Sequence, residues 1–207
     1  MPGLTDSILI DILQSIGDSL ETLDISHNYE LTDACLSGIR QFNPRLRSLT
    51  LNGVKEVTAL GLETFFTYDL EGLPPPPKLK VLNLASCDHQ AVTDQVLKLA
   101  TASSSTSTSN SLASTNGGLA QLDIQGSSLV TDIMLEQLVE TSAFTLTDLN
   151  VSYCPLLTDN GLGYFVSKTG EQLTKVHVWG CAQLSDGKCS RIILPYQSFW
   201  SHDHVKF

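Results

Sequence analysis

Histidine and cysteine are the side chains best suited to chemistry near neutral pH, and their spacing decides what they could do here. His202-Asp203-His204 sets two imidazoles and a carboxylate side by side near the end of the sequence. These are zinc-ligand types, but no further ligand follows at a fixed spacing, so a solvated tail is the plainer reading and no metal ligand is assigned. His177 falls at an outward position of a strand pattern, while His27 and His89 fall in turns. None has a nucleophile fixed beside it by spacing, so neither a Ser/His/Asp nor a Cys/His arrangement can be built. Gly117-Gly118 precedes a strand pattern instead of a helix, which excludes a phosphate-cradling loop. No catalytic residue and no cofactor is assigned, and the expected class is a non-enzyme.

The five cysteines have a structural explanation. Cys87, Cys154 and Cys181 each come five residues after an aliphatic strand position, where an earlier unit has Asn28. That place is predicted to lie inside a turn, where a small side chain is buried. Cys35 sits on the apolar face of a helix pattern. Buried free thiols fit this placement better than a disulfide or metal framework, and a reducing, intracellular compartment is expected.

What positions these residues is a repeat. Leu4-Thr5-Asp6, Leu31-Thr32-Asp33, Val57-Thr58-Ala59, Val92-Thr93-Asp94, Val130-Thr131-Asp132, Leu157-Thr158-Asp159 and Leu184-Ser185-Asp186 recur 26 or 27 residues apart, apart from two wider gaps. Between them run Leu20 to Ile25, Leu46 to Leu51, Leu79 to Leu84, Leu119 to Ile124, Leu146 to Val151 and Leu173 to Val178, aliphatic at the first, fourth and sixth positions. Their last three positions alternate apolar and polar, the period of a strand burying one face. The Thr and Asp of each phrase are predicted to accept hydrogen bonds from the first turn of a helix. Helical apolar spacing follows: Cys35, Leu36, Ile39 and Phe42; Leu62, Phe65 and Phe66; Met134, Leu135, Leu138 and Val139; Leu162, Phe165 and Val166. Strand, turn and helix at this period make an α/β leucine-rich-repeat solenoid, a horseshoe with parallel strands on its concave face and helices on its convex face.

The solenoid is expected over 1–191, with insertions at 69–78 and 101–118, and a C-terminal cap or tail over 192–207. The first insertion contains Pro74 to Pro77, which favours extended polyproline II. The second is nearly pure Ser/Thr/Ala/Asn/Gly and reads as a flexible, disordered loop. Each is either a docking or phosphorylation segment or a tolerated loop expansion, and loop lengthening costs little. The first helix pattern (Ile8, Leu9, Ile12, Leu13, Ile16) has no strand before it, which predicts an apolar edge met by further repeats or a partner. At the far end Arg191 to Leu194 reads as a final strand, with Tyr196, Phe199 and Trp200 available to cover the last layer.

Twelve Lys+Arg against 22 Asp+Glu give a formal net charge of −10. The nearest approach to a basic patch is Arg45 to Arg47, so direct nucleic-acid binding is not expected. No apolar run approaches the roughly 20 residues needed to span a bilayer, and no membrane role is expected. The working surface is then the concave face. Alternation places Asp24, Thr50, Asn52, Asn83, Asp123, Asp148, Asn150, Lys175, His177 and Trp179 there. Strands about 4.8 Å apart turn equivalent positions into columns. Trp179 is the clearest anchor for a protein partner, unless it packs against the C-terminal tail.

With the repeat laid out, the chain resembles the cysteine-containing leucine-rich repeats of F-box and related ubiquitin-ligase proteins. A turn cysteine followed by the helix-start phrase matches at Cys87 with Val92-Thr93-Asp94, Cys154 with Leu157-Thr158-Asp159, and Cys181 with Leu184-Ser185-Asp186. A narrower resemblance is to the leucine-rich-repeat subunits of fungal global-genome nucleotide excision repair factors, over Leu4 to Gly17, Gly61 to Phe66, Val176 to Cys181 and the tail from Arg191-Ile192-Ile193. This resemblance implies a nuclear, non-enzymatic subunit that partners a Swi/Snf-type ATPase and joins a cullin ubiquitin ligase. The broader one implies an F-box-type receptor, nuclear or cytoplasmic, whose concave face captures a degron substrate and which engages an adaptor.

Overall fold

The computed structural model describes residues 3–68, 71–104, 118–169 and 172–185. Six three-residue strands, β1 (Thr22–Asp24), β2 (Ser48–Thr50), β3 (Val81–Asn83), β4 (Gln121–Asp123), β5 (Asp148–Asn150) and β6 (Lys175–His177), pair in parallel in chain order. Register is constant along the sheet: Leu23, Leu49, Leu82, Leu122, Leu149 and Val176 stand opposite one another. Six helices, α1 (Asp6–Ile16), α2 (Asp33–Phe42), α3 (Ala59–Phe66), α4 (Asp94–Ser104), α5 (Asp132–Ser142) and α6 (Asp159–Thr169), form the other layer. Strands stack about 4.8 Å apart but helices need about 8–10 Å. The two layers fit together only if the array bends with the sheet inside, which is the horseshoe expected from the period.

The core is one continuous layer between sheet and helices. Leu46, Leu79, Leu119, Leu146 and Leu173 enter it just before the strands; Leu51, Leu84, Ile124, Val151 and Val178 enter just after. Each fully buried leucine contributes roughly 1.5–3 kcal/mol relative to exposure. At the N-terminal edge Leu23 is half-buried, and Ile8, Ile12 and Ile16 of α1 are exposed while Leu9 and Leu13 are buried. The apolar edge expected there is present.

The helix-start phrase does something its sequence only half disclosed. Thr32 and Thr131 cap their helices by accepting from the amides of Ala34 and Ile133, and Thr58, Thr93 and Thr158 from those of Gly61, Val96 and Gly161. The aspartates instead reach across to the next repeat. Asp6, Asp33, Asp94, Asp132 and Asp159 each accept from the backbone amide of the following Thr or Ser at 2.8–3.0 Å and from its hydroxyl at 2.6–2.8 Å. Both partners are short and their spacing is set by the stack, so the carboxylate acts as a two-point staple between layers.

The insertions sit where they leave this stack intact. Helix α4 continues through Ser104, four residues into the stretch expected to be loop, and Ser103 and Ser104 are buried with their hydroxyls on the Ala100 carbonyl. Serine and threonine can satisfy their hydroxyls on a preceding helical carbonyl, which removes the reason to leave the helix. Gly118 N–H donates to the Ser104 carbonyl, so the ends of that insertion meet. In the proline segment Pro76 and Pro77 are buried. Buried Arg40 of α2 donates from Nε to the Pro74 carbonyl and from Nη1 to those of Thr64 and Phe65. The segment is thereby tied to the helical layer. The expected strand at 191–194, the 192–207 cap and the His202-Asp203-His204 group lie outside the described residues.

Candidate functional site

The concave face is built by register. Strand pairing sets Asp24, Thr50, Asn83, Asp123, Asn150 and His177 in one column and places Asp148 beside Lys175 in another. Asn52 and Trp179 follow in the turns after β2 and β6. Most of the first column also makes its own turn. A side-chain oxygen of Asp24, Asn83, Asp123 and Asn150 accepts from the amide two residues on, at 2.9–3.1 Å. This local bond bends the chain out of the strand, and explains why short Asx side chains recur there. The Ser26 hydroxyl and then its amide hold the Asp24 carboxyl below its usual range.

Among the described residues of this face, charged groups converge in the C-terminal half. Asp148 lies 3.7 Å from Lys175 Nζ and 3.7 Å from His177 Nε2, the second an ion pair only when the imidazole is protonated. Burial pushes the Asp123 carboxyl up, against the opposing influence of the Gln125 amide, the Asn150 side chain and His177. Asn150 Nδ2 reaches Gln125 Oε1 at 3.4 Å. Beside this polar cluster stand two half-exposed aromatic side chains, Trp179 (49% exposed) and Tyr153 (50%). The Tyr153 amide donates to the Trp179 carbonyl, and the Trp179 amide to Ser152 Oγ. Thr50, Asn52 and Asn83 belong to the same face but stand apart from the aromatic pair by several strands.

Tyr153 was not among the residues singled out by alternation, and a signal for it does exist. Its position in the repeat is left-handed in all six units: His27, Gly53, Ser86, Gly126, Tyr153 and Gly180 have φ between 53° and 83°. Glycine fills half of these places, as that conformation favours. A tyrosine there is costly by comparison and therefore conspicuous. Its ring lies over Gly180, where an added Cβ would come within 2.6 Å of it. His27 covers Gly53 in the same way.

The remaining candidates for chemistry have structural roles. Cys87, Cys154 and Cys181 donate from Sγ to the carbonyls of Leu51, Ile124 and Val151 in the preceding repeat, at 3.1–3.5 Å. Burial raises all of these thiols, Cys87 to about 11 and Cys154 to about 12, and Cys35 likewise to about 12. A protonated, buried thiol is a poor nucleophile. His89 is exposed, 3.6 Å from Asp88, and its carbonyl accepts from Ser128. Among the described residues no group of three or more His, Cys, Asp or Glu is placed to hold a metal ion, and no helix is long and apolar enough to cross a membrane.

Comparison with known proteins agrees with this architecture. A leucine rich repeat profile matches residues 142–166, which span the end of α5, β5 and most of α6. The DNA repair protein rhp7 of Schizosaccharomyces pombe is 29% identical over 183 residues, covering 86% of this chain and 29% of rhp7. A chain in the crystal structure of the Rad7 and Elc1 complex in yeast superposes with a TM-score of 0.68 at 21% identity, covering 88% of this chain and 41% of that one. The chain has the leucine-rich-repeat fold and is similar in sequence to a fungal DNA repair protein, and it spans under half the length of either matched protein.

Proposed function

We propose that the chain is the protein-interaction part of a non-enzymatic subunit in a nuclear nucleotide excision repair complex linked to a cullin ubiquitin ligase. The observation that carries this reading is the relationship to rhp7, which runs along 86% of the chain. The yeast Rad7 relative is described in complex with Elc1, which supports a subunit that works by holding other proteins. In this reading a Swi/Snf-type ATPase and a cullin-linked adaptor are the partners, and lesion DNA is approached through the assembly.

The concave C-terminal half, with Asp123, Asp148, Asn150, Lys175, His177, Trp179 and Tyr153, is the proposed docking surface. Trp and Tyr give large contact area at low entropic cost and are frequent hot spots. The polar groups around them supply hydrogen bonds without large net charge. Asp24, Thr50, Asn52 and Asn83 extend the face toward the N-terminal end.

Affinity purification of the full-length protein tests both levels. Recovery of a Swi/Snf-type ATPase supports the repair subunit; recovery of a Skp-like adaptor without it supports a degron receptor of an F-box-type ligase instead. The double variant Trp179→Ala, His177→Ala should weaken partner capture at unchanged thermal stability. Undiminished capture removes the C-terminal concave site.

A further inference from the structure

Among the described residues six junctions link successive helix-start phrases, the last of them ending at Ser185, and five carry the aspartate staple. The exception is the junction between α3 and α4. There the stapling position is Ala59, whose methyl group cannot accept the Thr93 amide and hydroxyl. The same junction departs from the period twice more. The proline segment separates α3 from β3, and the turn from Leu82 to Val92 is two residues longer than its counterparts. Helix α3 is the shortest, at eight residues.

The sheet side of this junction is undiminished. Strands β2 and β3 pair in full register, and Leu51 and Gly53 donate to the carbonyls of Asn83 and Ala85 just beyond them. Arg40 ties Pro74 to α2 and α3, so the first part of the proline segment belongs with the N-terminal layers. What replaces the staple is Lys55, whose ammonium reaches the Ser86 and Cys87 carbonyls across the turns. A lysine on a flexible stem constrains orientation less than a two-point carboxylate bond.

We propose that the α3/α4 junction is a hinge, with β2 and β3 as the pivot and the helix side free to spread. The moving bodies are the layers up to α3 and the layers from α4 onward. Spreading the helices while the strands stay paired increases curvature, so the two halves of the concave face close toward one another. Solenoid layers contact only their neighbours, so one weakened interface localises bending there. The motion belongs to the collective microsecond-to-millisecond class. This inference holds whatever the concave face binds.

Electron–electron distance measurements on the full chain test it. One pair of spin labels, at Ser37 on α2 and Lys98 on α4, spans the unstapled junction. A control pair, at Lys98 and Ser167 on α6, spans two stapled ones. The first pair should give the wider distribution, and Ala59→Asp should remove the excess width while leaving the control pair unchanged. Conversely, Asp132→Ala should widen the control pair by deleting a staple. Equal widths in the unsubstituted chain would overturn the hinge. Excess width that persists in Ala59→Asp, with no widening in Asp132→Ala, would overturn the staple as its cause.

Discussion

The turn cysteines show how much a single side chain can do in a stacked repeat. Each thiol is small enough for the turn and spends its weak donor on a carbonyl of the layer before it. The fold holds these thiols neutral, since their pKa values lie above the ordinary 9.0, near 11 for Cys87 and near 12 for Cys35 and Cys154. Between about pH 9 and those values the unfolded chain has lost the proton that the folded chain keeps. Stability is therefore full below about pH 9 and falls as pH rises, by up to about 1.4 kcal/mol per pH unit for each such thiol. Urea unfolding from pH 8 to 10.5 should show this decline, and Cys154→Ser should make it shallower. A slope unchanged by that substitution would assign the alkaline loss to other groups. The recurrence of cysteine was visible in the sequence, and so was its burial; the carbonyl it serves belongs to a residue 30 or 36 positions earlier and was not.

At the level of elements the helix starts repay attention, because two of them contain a glycine that helix propensity argues against. Gly61 and Gly161 stand where an added Cβ would meet the stapling carboxylates of Asp33 and Asp132 at about 2 Å. Replacing an exposed helical glycine with alanine ordinarily stabilises by about 1 kcal/mol, but Gly61 and Gly161 are buried. At Gly61 the new methyl group must displace Asp33 from Thr58, so Gly61→Ala should instead destabilise by about 1 kcal/mol, the worth of the hydrogen bonds disturbed. In an Asp33→Ala background the same substitution should be neutral or stabilising, and denaturant midpoints for the four proteins measure the difference. Additive effects would mean that the glycine is not there to make room for the staple. Strand and helix positions were legible because apolar periodicity reports burial directly. The staple was not, since a Thr-Asp pair has the same sequence signature whether the aspartate caps its own helix or binds the next repeat. Tyr153 escaped for a related reason: strand alternation ends before the turn, and only the recurring left-handed position marks it.

For the molecule as a whole, charge bears on whether this chain itself can hold DNA. A duplex holds proteins chiefly by exchanging counterions for clustered Lys and Arg, and binding weakens steeply with salt. This chain has a formal net charge of −10. Among the described residues each arginine already has a partner: Arg40 is buried on three carbonyls, Arg45 lies 3.7 Å from Asp18, and Arg47 donates to the Lys78 carbonyl. The concave face adds Asp24, Asp123 and Asp148, which repel phosphate. In the proposed repair role, DNA contact is then supplied by the partner. Fluorescence anisotropy with a labelled duplex should show no saturable binding by this chain alone near physiological salt. Binding should appear only when the proposed ATPase partner is added, and its salt dependence should match that of the partner by itself. Adding the Trp179→Ala, His177→Ala variant should leave the partner's own DNA affinity unchanged while this chain fails to join the complex. Tight, salt-sensitive binding by the chain alone would instead place a nucleic-acid contact on a surface whose charge gives no reason to expect one.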